Sequence, residues 1–246
     1  AQQLSHEEIR NHPEFDLLVS RLQNDPAARQ QVLQQFLNNS VGSLGRTLSQ
    51  VLGMSGIGTE FPALKSAAVQ LLREGSPEQR LNALLLLGSN VGDDPAARAT
   101  VLEMLNKDAP TDPQLALSAL ASLNKQGVTS LADQQAVLDT VQPYTKSPDA
   151  QVRHTSLQML SMWSESDPLA LQTFTEATND ADSNIRSFAV SALGQGKYAY
   201  EQVRDTLLTV LQNPNEESDV KVAALQVMQD FPLDEQALQI YQAQVA

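Results

Sequence analysis

The sequence carries few side chains of the types that build catalytic or metal sites. It contains three histidines, His6, His12 and His154, and no cysteine. His6 and His12 are six residues apart, a spacing that does not place two side chains on one face of a helix around a metal ion. Without cysteine, disulfide bonds, thiolate catalysis and cysteine-based zinc sites are excluded. We therefore predict no catalytic residue, no metal and no cofactor.

Neighbouring carboxylates are numerous, but their positions predict turns and helix starts. Asp93 with Asp94 and Glu216 with Glu217 are two such pairs. General acid catalysis needs a carboxyl group whose pKa is raised by burial, and nothing in the sequence buries either pair. At a helix start the same carboxylates accept hydrogen bonds from free N–H groups and favour the helix dipole, so we assign them that role.

Glycine is concentrated in residues 39–60, which hold five of the 11 glycines of the chain. The segment Gly53–Gly58 superficially resembles a phosphate-binding loop, but such a loop follows a strand, and no strand is predicted here. We predict a Gly-rich connection over 39–60, with a turn or two of helix at 47–52. Long connections are often disordered or functional, so a simple linker and a binding loop both stay open.

Five segments share one pattern of residue types, at spacings of 36, 37, 33 and 35 residues. Each starts at a basic or small residue, here called the anchor, and continues with a small residue at +3 and apolar residues at +4 and +7. A period in the thirties is typical of stacked helix pairs, in which each repeat buries its apolar face against its neighbours. The tetratricopeptide array has a similar period, but its Trp, Gly, Tyr and Pro positions are not found here at a fixed offset. The anchors are Arg80, Ala116, Arg153, Arg186 and Lys221.

Helix starts are marked by Asp-Pro or Ser-Pro, because the side-chain oxygen caps free N–H groups and proline at the first helical position loses no hydrogen bond. Outer helices, here called A helices, alternate in the prediction with B helices that carry the anchors. The start Pro26–Arg29 recurs almost unchanged at Pro95–Arg98, which suggests that the N-terminal part shares the array. The Asp-Pro and Ser-Pro motifs lie at 25–26, 76–77, 94–95, 112–113, 147–148 and 167–168. The predicted A helices cover 63–74, 95–107, 132–145, 168–179 and 200–212. A last helix is predicted at 234–245.

Three of the repeats, at 148–157, 182–194 and 218–225, combine an Asp, a β-branched residue before a basic anchor and a small residue at +3. In this they resemble the HEAT-repeat family, including its bacterial bilin-lyase-like branch. Gln79 and Ala116 depart from the pattern, and the resemblance covers about 62–232 well and 1–61 poorly. It implies an all-α fold, a right-handed α-α superhelix (α-solenoid) of about five helix pairs with irregular N-terminal helices. A fold of this kind does not by itself imply a chemistry.

The predicted organisation has three parts. Residues 1–61 form an irregular helical segment that includes the Gly-rich connection, residues 62–232 form the HEAT-like array, and residues 233–246 form a capping helix. Terminal caps are expected because an uncovered repeat exposes its apolar face.

The formal charge of −13 is unevenly distributed. Residues 1–75 hold 7 acidic and 6 basic residues, whereas residues 76–246 hold 22 and 10. An acidic array repels nucleic-acid phosphates and anionic membrane surfaces, while a basic protein partner is permitted.

The longest apolar stretch, Leu81–Leu87, is interrupted by Asn82, so no membrane insertion is predicted. Because the chain begins Ala-Gln-Gln, we expect an exported, periplasmic protein of a bacterium, with a cytoplasmic one as the alternative.

These observations predict a non-enzymatic scaffold that binds a protein or an extended peptide on the concave face of the B helices. The alternatives are an enzyme on a helical-repeat scaffold, either chromophore-lyase-like or DNA-base-acting, and an assembly or spacer domain of a larger exported protein. The +1 and +5 positions are expected to form the binding face. They are Leu81, Leu85, Leu117, Ala121, His154, Gln158, Ser187, Ser191, Val222 and Gln226.

The basic anchors form a structural ladder in this prediction. Arg80, Arg153, Arg186 and Lys221 would each meet an aspartate of an adjacent turn, such as Asp149, Asp182 or Asp219, and so join neighbouring repeats. Trp163, the only tryptophan, and Phe188 are both predicted to pack in the core.

Overall fold

The computed structural model of the chain describes residues 5–38, 40–107, 111–125 and 130–246, and these residues form helices and turns without any β-strand. The predicted all-α class is thus confirmed. The chain divides into two compact units, Ala1–Ser130 (unit 1) and Leu131–Ala246 (unit 2), which are described separately. Asn39 and the side chains of His6 and Asp93 lie outside the described part of the chain. The three-part division at 61 and 232 stays a prediction.

The helices of unit 1 begin with a short N-terminal group and continue with the predicted alternation of A and B helices. They are α1 (His6–Arg10), α2 (Phe15–Asn24), α3 (Pro26–Asn38), α4 (Gly42–Met54), α5 (Ile57–Glu60), α6 (Pro62–Glu74), α7 (Pro77–Leu87), a 3-10 helix (Gly88–Asp93), α8 (Pro95–Lys107) and α9 (Pro113–Ser122).

In unit 2 each B helix packs against the A helix that precedes it, α11 on α10, α13 on α12 and α15 on α14, and successive B helices also contact each other. The right-handed superhelix itself stays a prediction. The helices are α10 (Leu131–Val141), a 3-10 helix (Gln142–Lys146), α11 (Ala150–Trp163), α12 (Pro168–Ala177), α13 (Ser183–Gln195), α14 (Tyr200–Gln212), α15 (Ser218–Met228) and α16 (Glu235–Val245).

The capping residues act at most of the predicted helix starts. The side chains of Ser76, Asp112 and Asp167 accept hydrogen bonds from N–H groups of the first turn, each in front of a proline. At Ser147-Pro148 the prediction was wrong by two residues, because Asp149 is the cap and α11 begins at Ala150. The predicted helix 132–145 is also divided: it continues as a 3-10 helix from Gln142, next to Pro143, which has no N–H to donate to an α-helical bond.

The five anchors occupy the same place in five helices, since each is the fourth residue of α7, α9, α11, α13 or α15. The small residues at +3 have an exposed fraction of 0% in all five helices, and the apolar residues at +7 are buried as well. A small side chain at a fully buried position lets two helices approach closely. The repeat found in the sequence therefore marks the buried stripe of every B helix. The +3 residues are Ala83, Ala119, Ser156, Ala189 and Ala224.

The Gly-rich segment is largely helical, so the predicted connection over 39–60 is wrong. Gly42–Met54 forms α4 and Ile57–Glu60 forms α5, with Gly56 between them at a φ of 75°. The segment is held against α7 by polar contacts: the Gly42 N–H donates to the Glu78 carboxylate at 2.6 Å, and the Asn82 amide donates to the Ser40 carbonyl at 2.9 Å. Because α7 supplies the hydrogen bonds and the packing surface, the low helix propensity of glycine does not prevent a helix here.

Gly53 determines how closely α4 packs on α7. A Cβ atom at this position would lie 1.9 Å from the backbone oxygen of Leu85, and a Cβ at Gly88 would lie 3.3 Å from the backbone oxygen of Gly53. Backbone atoms cannot move aside as a flexible side chain can. The contact therefore requires glycine at residue 53.

We expect Gly53→Ala to destabilise the protein by about 2 kcal/mol or more, because the added methyl group forces α4 away from α7. Urea unfolding followed by far-UV circular dichroism measures the change. Leu44→Ala is the matched control on α4: Leu44 is exposed, so its truncation should change the unfolding free energy by less than about 0.5 kcal/mol. Equal stability of Gly53→Ala and wild type would contradict this packing.

Candidate binding sites

The predicted binding-face residues are exposed or half-buried on the B helices of both units. Gln158, Val222, Gln226 and Ala121 are exposed, and the other six are half-buried. The +1 and +5 positions are thus accessible, as a binding face requires. Whether they contact a partner stays a prediction.

Unit 1 contains an open cavity of about 480 Å³ at the B-helix side. Two of the predicted positions, Leu85 and Ala121, belong to its wall. The remaining wall comes from the end of α1, from α4, from the end of α7 and from α9. The residues that line it are Arg10, Gln50, Gly53, Met54, Leu84, Leu85, Gly88, Ser118, Ala121 and Ser122.

Part of the cavity wall is formed by α4, which is a further copy of the B-helix pattern with two changed positions. Arg46 lies 34 residues before the anchor Arg80, and the residue at +3, Ser49, is small and fully buried, as in the five other copies. At +4 and +7, however, the apolar residues are replaced by Gln50 and Gly53. A polar side chain thus occupies the +4 position, and the glycine at +7 lets α4 approach the backbone of α7 closely.

Gln50 is the polar group that the fold leaves unsatisfied at this cavity. Its exposed fraction is 7%, and its Oε1 atom has no hydrogen-bond partner among the described residues. Burying a hydrogen-bond acceptor without a partner costs about 1–3 kcal/mol, and natural proteins rarely contain such an unpaired acceptor. The repeat pattern does not identify Gln50, because that pattern has apolar residues at +4 and +7. A search for the anchor and the small +3 residue alone would have found α4.

Unit 2 presents a second surface, the uncharged face of α11, α13 and α15. Beyond its fourth residue, none of these helices contains Asp, Glu, Lys or Arg. Unit 2 as a whole is strongly acidic, with 16 acidic and 6 basic residues in 131–246. Its charges therefore lie on the A helices, in the turns and in the first turns of the B helices, and the B-helix face carries amide, hydroxyl and apolar groups.

Two aromatic rings meet on this face. His154 on α11 and Phe188 on α13 are both half-buried, and their ring centroids lie 5.4 Å apart in an edge-to-face arrangement. The prediction that Phe188 packs in the core is therefore wrong, because its position on α13 points the ring at the neighbouring B helix near the surface. Trp163 is confirmed as a core residue, with an exposed fraction of 2%.

Arg153 and Arg186 make the same set of contacts one repeat apart. The Nε and Nη2 atoms of Arg153 both donate to the Asp180 carboxylate at 2.9 Å, while Nη1 donates to the backbone oxygens of Ser147 and Pro148. Each guanidinium thus closes the turn before its own helix and also holds a carboxylate from the turn before the next B helix.

Arg186 repeats this arrangement with the Glu216 carboxylate, at 2.9–3.1 Å, and with the backbone oxygens of Asp180 and Ala181. The partners differ from those expected from the sequence. Asp149 and Asp182 are the N-terminal caps of α11 and α13, so their carboxylates already accept backbone N–H groups. The ion pairs use the acidic residues that lie earlier in each turn.

The other two members of the predicted ladder have different surroundings. Arg80 donates through Nη2 to the backbone oxygen of Arg73 at 3.4 Å. Lys221 is half-buried at the start of α15, and its charge contributes to lowering the pKa of the Glu216 carboxyl. A lysine has no planar fork, so it cannot join a carboxylate and two carbonyl groups as Arg153 and Arg186 do.

The ion pairs shift the acidity of the carboxyl groups. Burial alone would raise the pKa of Asp180, but the hydrogen bonds from Arg153 and from the Asp182 N–H, together with the charges of Arg153 and Arg186, bring it below its ordinary value. Glu216 behaves in the same way: burial opposes ionisation, and its bonds to Arg186 and the Glu217 N–H lower its pKa. Both carboxyl groups are therefore ionised at neutral pH and unsuited to donating a proton.

No group of three or more His, Cys, Asp or Glu side chains in the described ranges has an arrangement that would hold a metal ion. In the same ranges, no helix has both the length and the apolar character needed to span a bilayer. Comparison with protein-family models, with curated proteins and with solved structures gives no match.

We expect Asp180→Asn to lower the unfolding free energy at neutral pH by about 2 kcal/mol, because it leaves the partly buried Arg153 without its counter-charge. The pKa of Asp180 is lower in the folded chain than the ordinary 3.8, so the wild-type pair stabilises the fold above that value and loses its effect as the pH falls through the folded pKa. The variant should thus lose less stability than the wild type between about pH 5 and pH 2.

Urea unfolding at a series of pH values, followed by the fluorescence of Trp163, tests this in unit 2, where the only tryptophan of the chain is buried. Glu201→Gln is the control, since it removes an exposed carboxylate from the same unit and should change stability by less than about 0.5 kcal/mol. Parallel pH profiles for wild type and Asp180→Asn would contradict the assignment.

Proposed function

We propose that the protein is a non-enzymatic interaction module, and that the uncharged face of α11, α13 and α15 binds an extended peptide segment of a partner protein. The observation that carries the proposal is the absence of charge on this face within a unit of formal charge −10. Solvent-facing helix surfaces usually carry charged side chains, and interface centres are depleted of them. The resemblance to HEAT repeats agrees with this role.

The chemistry of the face suits a peptide backbone. Gln158, Ser187 and Gln226 have amide and hydroxyl groups that both donate and accept, so they can pair with the N–H and C=O groups of an extended chain. Val222, with an exposed fraction of 48%, and Met162, with 45%, add apolar contacts. The His154–Phe188 pair adds two half-buried aromatic rings between two B helices.

The surrounding charge indicates which peptides bind. The turns that flank the face and the A helices of unit 2 carry most of its 16 carboxylates. Long-range attraction favours a partner segment whose ends are basic, while the uncharged face selects polar or apolar residues at its centre. The proposed ligand is therefore an extended peptide with an uncharged centre and Lys or Arg on its flanks.

Selection from a random-peptide phage library against the full chain tests this proposal. We expect the selected peptides to have basic flanks and to bind more weakly as salt concentration rises. Introducing a carboxylate by Gln158→Glu or Val222→Glu should reduce their affinity by about tenfold or more, because the new charge is buried against an uncharged segment.

Gln212→Glu is the matched control, since it adds the same charge at an exposed residue at the end of α14. Peptides that bind the control as they bind wild type, and that lose affinity for the two face variants, support the proposal. If the selected peptides bind all variants equally, or if no peptide family is enriched, this face is not the binding site.

A further inference from the structure

The cavity in unit 1 has a composition that indicates a small ligand, independently of the peptide-binding face of unit 2. Its wall combines apolar groups, two glycines and a few polar groups at separate places. At about 480 Å³ it falls within the usual range of ligand sites, roughly 300–1,000 Å³. A ligand for it needs an apolar body and a small number of matching polar atoms.

The first polar requirement comes from Gln50. Its buried Oε1 atom is an acceptor without a partner among the described residues, in a side chain that lines the cavity. Only an N–H or O–H group can satisfy it. A purely apolar ligand would leave this buried acceptor unpaired.

The second requirement comes from Arg10, the last residue of α1. Its side chain is exposed and reaches the cavity wall, and it forms no ion pair with the described residues. Its guanidinium presents a planar fork of donors that fits a carboxylate with two parallel hydrogen bonds. The ligand group at this end is therefore an anion with carboxylate geometry.

The third requirement is apolar. Met54, Leu84, Leu85 and Ala121 form the non-polar part of the wall, and the two glycines add no side chain to it. The volume of about 480 Å³ is large enough to hold a branched aliphatic side chain against this wall. Such a side chain would bury apolar surface against these residues.

We propose that this cavity binds an apolar amino-acid residue with a free carboxylate. Its side chain contacts the apolar wall, its N–H donates to Gln50 Oε1 and its carboxylate pairs with Arg10. The same chemistry is offered by a free amino acid, whose ammonium group is the donor, and by the C-terminal residue of a peptide, whose amide N–H is the donor. Leucine is the natural probe, since leucine is the commonest residue at the +4 and +7 positions of the repeats.

Isothermal titration of the full chain with N-acetyl-L-leucine, L-leucine, N-acetyl-L-leucinamide and N-acetylglycine tests each requirement in turn. The two leucine acids should bind. The leucinamide should bind about tenfold more weakly or worse because it lacks the carboxylate, and acetylglycine should bind weakly because it lacks the side chain. Tighter binding of N-acetyl-L-leucine identifies a peptide C-terminus as the source, and tighter binding of L-leucine identifies a free amino acid.

Two variants locate the site. Arg10→Gln and Gln50→Met should each reduce the affinity for N-acetyl-L-leucine by about tenfold or more. Gln50→Met should also keep or raise the midpoint of thermal unfolding, because methionine has a similar shape and removes the unpaired oxygen. Weaker binding by this variant would then not result from unfolding. Arg21→Gln, an exposed arginine on α2, is the control and should bind as wild type does.

Three results would overturn the proposal: no saturable binding of either leucine acid, equal affinity for the acid and its amide, or equal affinity of wild type and both cavity variants. Arg10→Gln keeps the test decisive should Gln50→Met fold poorly, because Arg10 is exposed.

Discussion

An arginine near the start of a helix, with its guanidinium turned back to the preceding backbone, is the interaction on which the packing of successive helices depends. Arg29, Arg80, Arg98, Arg153 and Arg186 are each the fourth residue of a helix, and each donates to a carbonyl five to seven residues earlier. The last carbonyls of a helix and those of a tight turn have no partner within the helix. A guanidinium has five donors in a rigid plane, so it can satisfy them from the next helix and fix the turn between the two.

This use of arginine has a consequence for the surface. In unit 2 the donors of Arg153 and Arg186 that remain after turn closure bind Asp180 and Glu216, so these positive charges are neutralised inside the turns. The B helices need no further charge, because their stability comes from the buried residues at +3 and +7. The uncharged face of these helices can therefore consist of amide, hydroxyl and aromatic groups. Among the described residues, no neighbouring ion pair on that face competes with a partner for these groups.

The sequence predicts most of the helices and the buried stripe, and it does so for a physical reason. Caps, prolines and small residues act locally or at a fixed helical spacing, so their effect does not depend on knowing the distant parts of the fold. What the sequence does not predict depends on distant partners. Asp180 rather than Asp182 meets Arg153 because Asp182 is occupied as a helix cap, and Gly42–Met54 is helical because α7 supplies the hydrogen bonds that stabilise it.

The candidate site in unit 1 is the clearest case of this limit. Local patterning is consistent in five B helices and fails in α4, where Gln50 and Gly53 occupy positions that are apolar elsewhere. A chain selected only for stability would not keep Gln50, because an unpaired buried oxygen costs free energy, whereas Gly53 is required by the close approach of α4 to α7. Departures from an otherwise regular pattern concentrate at functional or strained sites. Of the two residues that distinguish α4 from the other B helices, Gln50 is therefore the one that indicates a ligand.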